Sequence, residues 1–282
     1  MFNNSLKKEA LRIHEETLNR YNKSYEEMNT FCEQLYEMRR NSVHLILLIQ
    51  RVINSIANTP KEFDTELGEI NKELIKFHET ENYAKEAYSA SLKAGTEIVE
   101  GAAVGIGVAS MAPTALMSIA TTFGTASTGT AISALSGAAA EKAALAWIGR
   151  TFAGFAVKEG AGMVAGQAFL ALVGPIGWGI TATSIGGSLI SLTKKNKKLA
   201  DKAVEEAKEI AVAREALDET TQKIKSLKSK TTILYHDINK QRNRIAGFMH
   251  LSYASLPMDD KYFLGTLVNN TLTLSKLLNE TI

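Results

Sequence analysis

Five histidines and a single cysteine are the side chains of this 282-residue sequence best suited to metal binding or nucleophilic chemistry. His14, His44, His78, His236 and His250 lie far apart, and no two stand at the i, i+4 spacing that lets imidazoles share a metal beside a carboxylate. Each reads as a helix-surface or interface histidine. Cys32 follows Phe31 on an apolar helix face, where a small thiol packs and stays unreactive. Being alone, it forms no intrachain disulfide, and it fits a reducing compartment without requiring one. Gly101-x3-Gly105-x-Gly107 leads into an alanine-rich run with no strand before it, so it is not a dinucleotide turn, and no P-loop occurs. The expectation is a protein that is not an enzyme, with no catalytic, cofactor-binding or metal residues.

What is chemically unusual is the lack of charge between residues 101 and 193. Only Glu141, Lys142, Arg150, Lys158 and Glu159 carry charge there, and Gly101–Ala140 (40 residues) and Gly160–Thr193 (34 residues) carry none. Either stretch exceeds the roughly 18–20 apolar residues of a membrane span. Sixteen of the 20 glycines fall in the same block. Its first part is built from small residues: Ala, Gly, Ser and Thr supply 29 of the 40 positions, and Leu116 and Leu135 are its only leucines. Each Leu, Ile, Phe or Val favours the bilayer by about 0.3–0.6 kcal/mol, so two leucines anchor weakly. Such a stretch tolerates lipid yet stays soluble when packed, as expected of a segment that changes environment.

The block divides further. Ile98–Ala120 is a first candidate span containing Pro113, and Thr121–Thr130 is a Gly/Thr/Ser loop. Ala131–Lys158 is amphipathic, with Leu135, Leu145, Ile148, Phe152 and Phe155 beside its charges, and suits a membrane interface. Ala161–Leu192 is a second candidate span, bent or broken at Gly174-Pro175-Ile176-Gly177-Trp178-Gly179. Gly101-x3-Gly105 and Gly162-x3-Gly166 are small-xxx-small pairs that let helix backbones approach closely. Trp147 and Trp178 fit either a headgroup boundary or ordinary core packing. Lys194, Lys195, Lys197 and Lys198 follow the second span at once, where they suit an anionic leaflet and oppose the dipole of the helix they begin. A tightly packed soluble hairpin is the alternative for the whole block.

The flanks are charged helix. Tyr21, Met28, Leu35, Ile49 and Ile56 recur at sevens beside Phe31, Met38, Leu45 and Val52, predicting a helix over about 4–57 with Ser42 interrupting one row. Asn58-Thr59-Pro60 marks a break, with Thr59 as N-cap. Phe63, Leu67, Ile70, Leu74, Phe77, Ala84 and Tyr88 predict a second helix over about 60–95, antiparallel to the first. Heptads of Ile210, Leu217, Ile224, Thr231, Ile238 and Ile245, and of Ala213, Thr220, Leu227, Leu234, Gln241 and Phe248, predict a third over Lys194–Gly247. Thr231 and Gln241 are polar members of that seam. A shorter helix over about 259–280 follows, carrying Phe263, Leu267, Leu274 and Leu277.

The fold class is therefore all-α: an elongated bundle of long amphipathic helices with an inserted hydrophobic Gly/Ala-rich helical head. Residues 1–95 and 194–282 form the tail, and residues 96–193 the membrane-active head. Net charge is +2, and the 16 basic residues after position 193 are interleaved with 11 acids, which excludes a nucleic-acid surface. The charged N-terminus has no apolar signal core, so the chain is expected to be made as a soluble cytoplasmic protein that acts at a membrane, reached in one case by non-standard export.

Long amphipathic helices around a Gly/Ala-rich head resemble the cytolysin A-like α-helical pore-forming toxins, including the lytic components of tripartite enterotoxins. The resemblance is one of architecture and covers most of the chain. It implies a soluble form that swings out its head on meeting lipid, inserts and oligomerises, as a homo-oligomer or with a related helical component. Two other functions fit the same residues: an intracellular effector that damages the producer's own membrane, as in phage defence, and a soluble scaffold binding a partner protein through the apolar block.

Overall fold

The computed structural model describes residues 2–98, 120, 124–126, 128–135, 137–152 and 192–282. Its long elements are α1 (Phe2–Ser55), α2 (Lys61–Ile98), α3 (Gly137–Phe152) and α4 (Leu192–Asn239), followed by α5 (Arg242–Ala246) and α6 (Met258–Leu277). The fold is all-α. Among the described residues there is no strand, only the isolated bridges Ala57–Ser252 and Thr125–Ala131. Contacts divide the chain into a first unit, Met1–Asn29 with Glu86–Thr221, and a second, Thr30–Lys85 with Gln222–Ile282. Both units draw residues from α1, α2 and α4.

The second unit is a four-helix bundle. Its core is made by Ile46, Ile49 and Ile53 of α1, Phe63 and Ile70 of α2, Ile238 of α4, and Leu264, Leu267 and Leu274 of α6. The seven-residue rows explain this burial, since they keep one face inward along the whole helix. Ser42, the break in its row, is nonetheless fully buried, its hydroxyl donating to the Met38 carbonyl at 2.9 Å. Gln50 donates to Asn71 at 2.9 Å, fixing α1 antiparallel to α2 as the short loop required. Against α4, by contrast, α1 runs parallel: Lys225 lies over the Phe31 ring, Lys228 donates to Gln34, and Ala57 pairs with Ser252.

Two features of this unit depart from the sequence reading. Helix α2 begins at Lys61, and the Pro60 carbonyl accepts from Phe63 N–H at 3.0 Å, so Pro60 precedes the first helical residue. The third long helix does not reach Gly247 in one piece. It stops at Asn239, Gln241 N–H tightens onto the Ile238 carbonyl, and α5 restarts at Arg242. A continuous helix would carry Gln241 into the core row. The turn places it in solvent while Ile238 and Ile245 stay buried. Thr231 does remain in the seam, its hydroxyl satisfied by the Leu227 carbonyl at 2.9 Å.

The C-terminal segment is held by polar contacts within the same unit. Arg39, buried among the helices, donates to the Glu280 carbonyl at 2.7 Å, and Asn279 donates to both the carbonyl and the carboxylate of Glu73. Burial pulls the Arg39 guanidinium down to about 9, with the Glu280 and Cys32 side chains acting in the opposite sense. Cys32 is partly covered on α1, and burial pushes its thiol up to about 12, with Glu33 adding to the shift and Arg39 opposing it. At neutral pH it is a thiol and not a nucleophile.

Candidate functional site

The first unit contains the described edges of the apolar block. There α1 and α4 meet along alanines: Ala10 packs with Ala200 and Ala203, and Leu11 covers them. Small side chains at both sides of a seam let the two backbones come close. Four residues along, His14 Nε2 lies 3.1 Å from Glu206 Oε2, with His14 itself buried. Lys202 Nζ approaches the same carboxylate at 3.4 Å. One turn further, Glu209 is held above the usual carboxylate range, first by burial and then by Glu205 and Glu206.

Beside this seam lies an open groove of about 460 Å³, lined by Leu6, Ala10, Ile13, Ala200 and Val204 with Glu9, Lys197 and Asp201 among them. Leu6 is 61% exposed, and Ile13 and Val204 are exposed as well. Together they line one contiguous apolar patch with charged residues among them, the kind of surface that marks an interaction site. The heptad rows do not contain these residues. Leu6 and Ile13 are seven apart and form a short row of their own, a signal the sequence carried but the longer rows obscured.

Lys194, Lys195, Lys197 and Lys198 lie in the first two turns of α4, which has no acidic residue in its first turn. Lys197 and Lys198 are exposed. Cations at the positive end of the helix dipole are locally unfavourable by about 0.3–1 kcal/mol each when exposed, and an anionic surface would relieve them.

Within the block, the loop and α3 make a small core. Ala126 N–H donates to the Thr130 carbonyl at 2.7 Å and Gly129 sits at φ +80, so the Thr/Gly run is a tight turn. Ile132 N–H returns to the Gly124 carbonyl, and α3 packs Ala140, Ala144, Trp147 and Ile148 inward while Lys142 faces solvent. Trp147, one of two alternatives for an interfacial anchor, is 6% exposed and lies in this core. Gly124 makes the packing possible: a Cβ there would overlap the Ala120 carbonyl oxygen and press on Ile132 and Trp147.

Gly101, Gly105, Gly107, Pro113, Leu116, Gly162, Gly166, Pro175 and Trp178 lie outside the described residues, as do both candidate spans apart from their end residues. Among the described residues no helix is long and apolar enough to cross a membrane, and no group of His, Cys, Asp or Glu is arranged to hold a metal ion. Comparison with known protein families, characterised proteins and solved structures gave no match to this chain.

Proposed function

We propose that this chain is a helical membrane-inserting protein that permeabilises a lipid bilayer after a soluble-to-membrane change and self-association. The observation that carries the reading is the pair of charge-free stretches, 40 and 34 residues long, placed between charged helices. Two features of the first unit support it. At Ala10, Ala200 and Ala203 its α1–α4 seam is made of small side chains, which bury little apolar area there. The start of α4 puts exposed lysines beside exposed Leu6 and Val204, the pairing of apolar and basic groups that favours an anionic interface.

Purified protein is expected to release dye from liposomes, more from anionic than from neutral lipid. Gly105→Leu or Gly162→Leu is expected to reduce release while leaving the protein folded, because a bulky side chain blocks close helix approach. Release unaffected by either change would remove the small-residue contacts from the mechanism. Lysis only by added protein points to an external target, and toxicity on cytoplasmic expression to the producer's own membrane.

A second reading has an observation of its own. The packing of Trp147 and Ile148 against the Gly124 turn is that of an ordinary soluble core, which favours a scaffold binding a partner protein through the block. No dye release from folded, monodisperse protein on either lipid would select this reading.

A further inference from the structure

The second unit contains a cavity unlike the apolar groove of the first. It is about 190 Å³, room for a few waters or one phosphate-sized group, and it is lined by Asn41, His44, Leu45, Tyr235, Asn239 and Arg242. Asn41 and His44 are one turn apart on α1, Tyr235 and Asn239 one turn apart on α4, and Arg242 opens α5. Buried Leu45 is the one apolar residue of the lining.

Five of these six side chains are hydrogen-bonding groups. None of the five makes a side-chain hydrogen bond or ion pair among the described residues, although Tyr235 does meet the His236 ring edge-on. By contrast, Gln50, Asn279, Arg244 and Lys228 of the same unit do have partners. Asn41, His44 and Arg242 are exposed and Tyr235 and Asn239 half-buried, so the five line an open, solvated cleft in which their donors remain available to a ligand. The lining contains donors of every kind and no carboxylate, with the Arg242 guanidinium as its fixed positive charge. A planar fork of donors beside amide and hydroxyl groups matches tetrahedral oxyanions.

The spacing along the chain explains the lining from the α4 side. Arg242 follows Tyr235 and Asn239 at i+7 and i+3, so all three face the same space beside α1 across the turn at Lys240–Gln241.

We propose that this cavity binds a phosphate group, either of a soluble phosphate monoester or of a phospholipid headgroup. The site is independent of the membrane-inserting block and stands or falls apart from it. The test is isothermal titration of the full chain with inorganic phosphate and with glycerol 3-phosphate. In parallel, vesicle co-sedimentation compares phosphatidylcholine alone with phosphatidylcholine containing phosphatidic acid.

Arg242→Gln is expected to weaken binding by about ten- to a hundredfold, the loss of a charge-assisted contact. Tyr235→Phe is expected to weaken it by about three- to tenfold, with the circular dichroism of both variants unchanged. Arg242 is exposed, so its replacement leaves the bundle intact. Binding of the free esters that depends on Arg242 identifies a soluble ligand. Arg242-dependent binding only to phosphatidic acid vesicles identifies a headgroup. No binding in either format, or binding that Arg242→Gln leaves undiminished, overturns the proposal.

Discussion

The two units use the same helices but different side chains to hold them. Among the described residues, half of the buried apolar side chains of the first unit are alanine, including Ala10, Ala140, Ala144, Ala200, Ala203 and Ala207. Among its described residues the second unit buries no alanine; its core there is Ile, Leu, Val and Phe. Burying a Leu, Ile or Phe contributes about 1.5–3 kcal/mol, whereas alanine brings little more than one methyl group. The bundle of the second unit is thus expected to be the more stable framework, and the first unit the part that opens at lower cost. Both tryptophans, Trp147 and Trp178, belong to the first unit, so their fluorescence reports it selectively. In urea, the fluorescence transition is expected before the loss of helical circular dichroism. Coincident transitions would dissolve the distinction.

The largest single effect should come from the framework. Ile49 is fully buried in the four-helix core, and Ile49→Ala is expected to cost about 2–5 kcal/mol, read from the circular dichroism transition. A smaller shift in fluorescence than in circular dichroism sharpens the contrast, and equal shifts show that the framework sets the stability of both units. Arg39 tests the same core from the polar side. Its charge is carried into the bundle against a burial penalty, so Arg39→Met is expected to leave stability unchanged or raise it by about 1–4 kcal/mol. A clear loss would mean that the polar contacts of Arg39, that to the Glu280 carbonyl among them, outweigh desolvation.

The helices were legible because their burial follows a single period. Tyr21, Met28, Leu35, Ile49 and Ile56 are all buried, as the row of sevens required. The end of α4 was not, because no Gly or Pro marks the turn; its only trace is Gln241 in a row of apolar residues, which reads equally as a polar seam position. The parallel course of α1 and α4 is a matter of topology, which periodicity cannot express. Of the candidate site, the lysines at the start of α4 were legible from composition, but the groove beside them depends on which residues face each other across two helices. The polar cavity was less visible still, since Asn41, His44, Tyr235, Asn239 and Arg242 are ordinary surface types until α1 and the end of α4 are known to lie side by side.

Gly124 lets the contrast be tested inside the first unit. Gly124→Ala forces a methyl group against the Ala120 carbonyl, Ile132 and Trp147. Overpacking of this kind costs about 1–3 kcal/mol. In a Trp178→Phe background the emission of Trp147 is expected to shift to the red and its urea transition to lower concentration, with the bulk of the helical signal unmoved. Loss of the whole circular dichroism transition would show that this small core is part of the framework after all. An unchanged Trp147 spectrum would mean that the turn and α3 yield without resistance.

The smallest effect separates surface decoration from framework within the second unit. Lys225 Nζ stands 4.5 Å from the centroid of the Phe31 ring, and Lys228 approaches the same ring at 5.4 Å. Two cations over one aromatic face share a single quadrupole and repel each other, so removing one leaves much of the attraction in place. Lys225→Ala is expected to cost about 0.5–1 kcal/mol at low salt, less than any core substitution. High salt damps exposed charge interactions, so the loss should shrink as ionic strength rises. A loss as large as that of Ile49→Ala would mean that the Lys225 stem is packed into the seam between α1 and α4. The boundary of the framework would then extend to the outer face of Phe31.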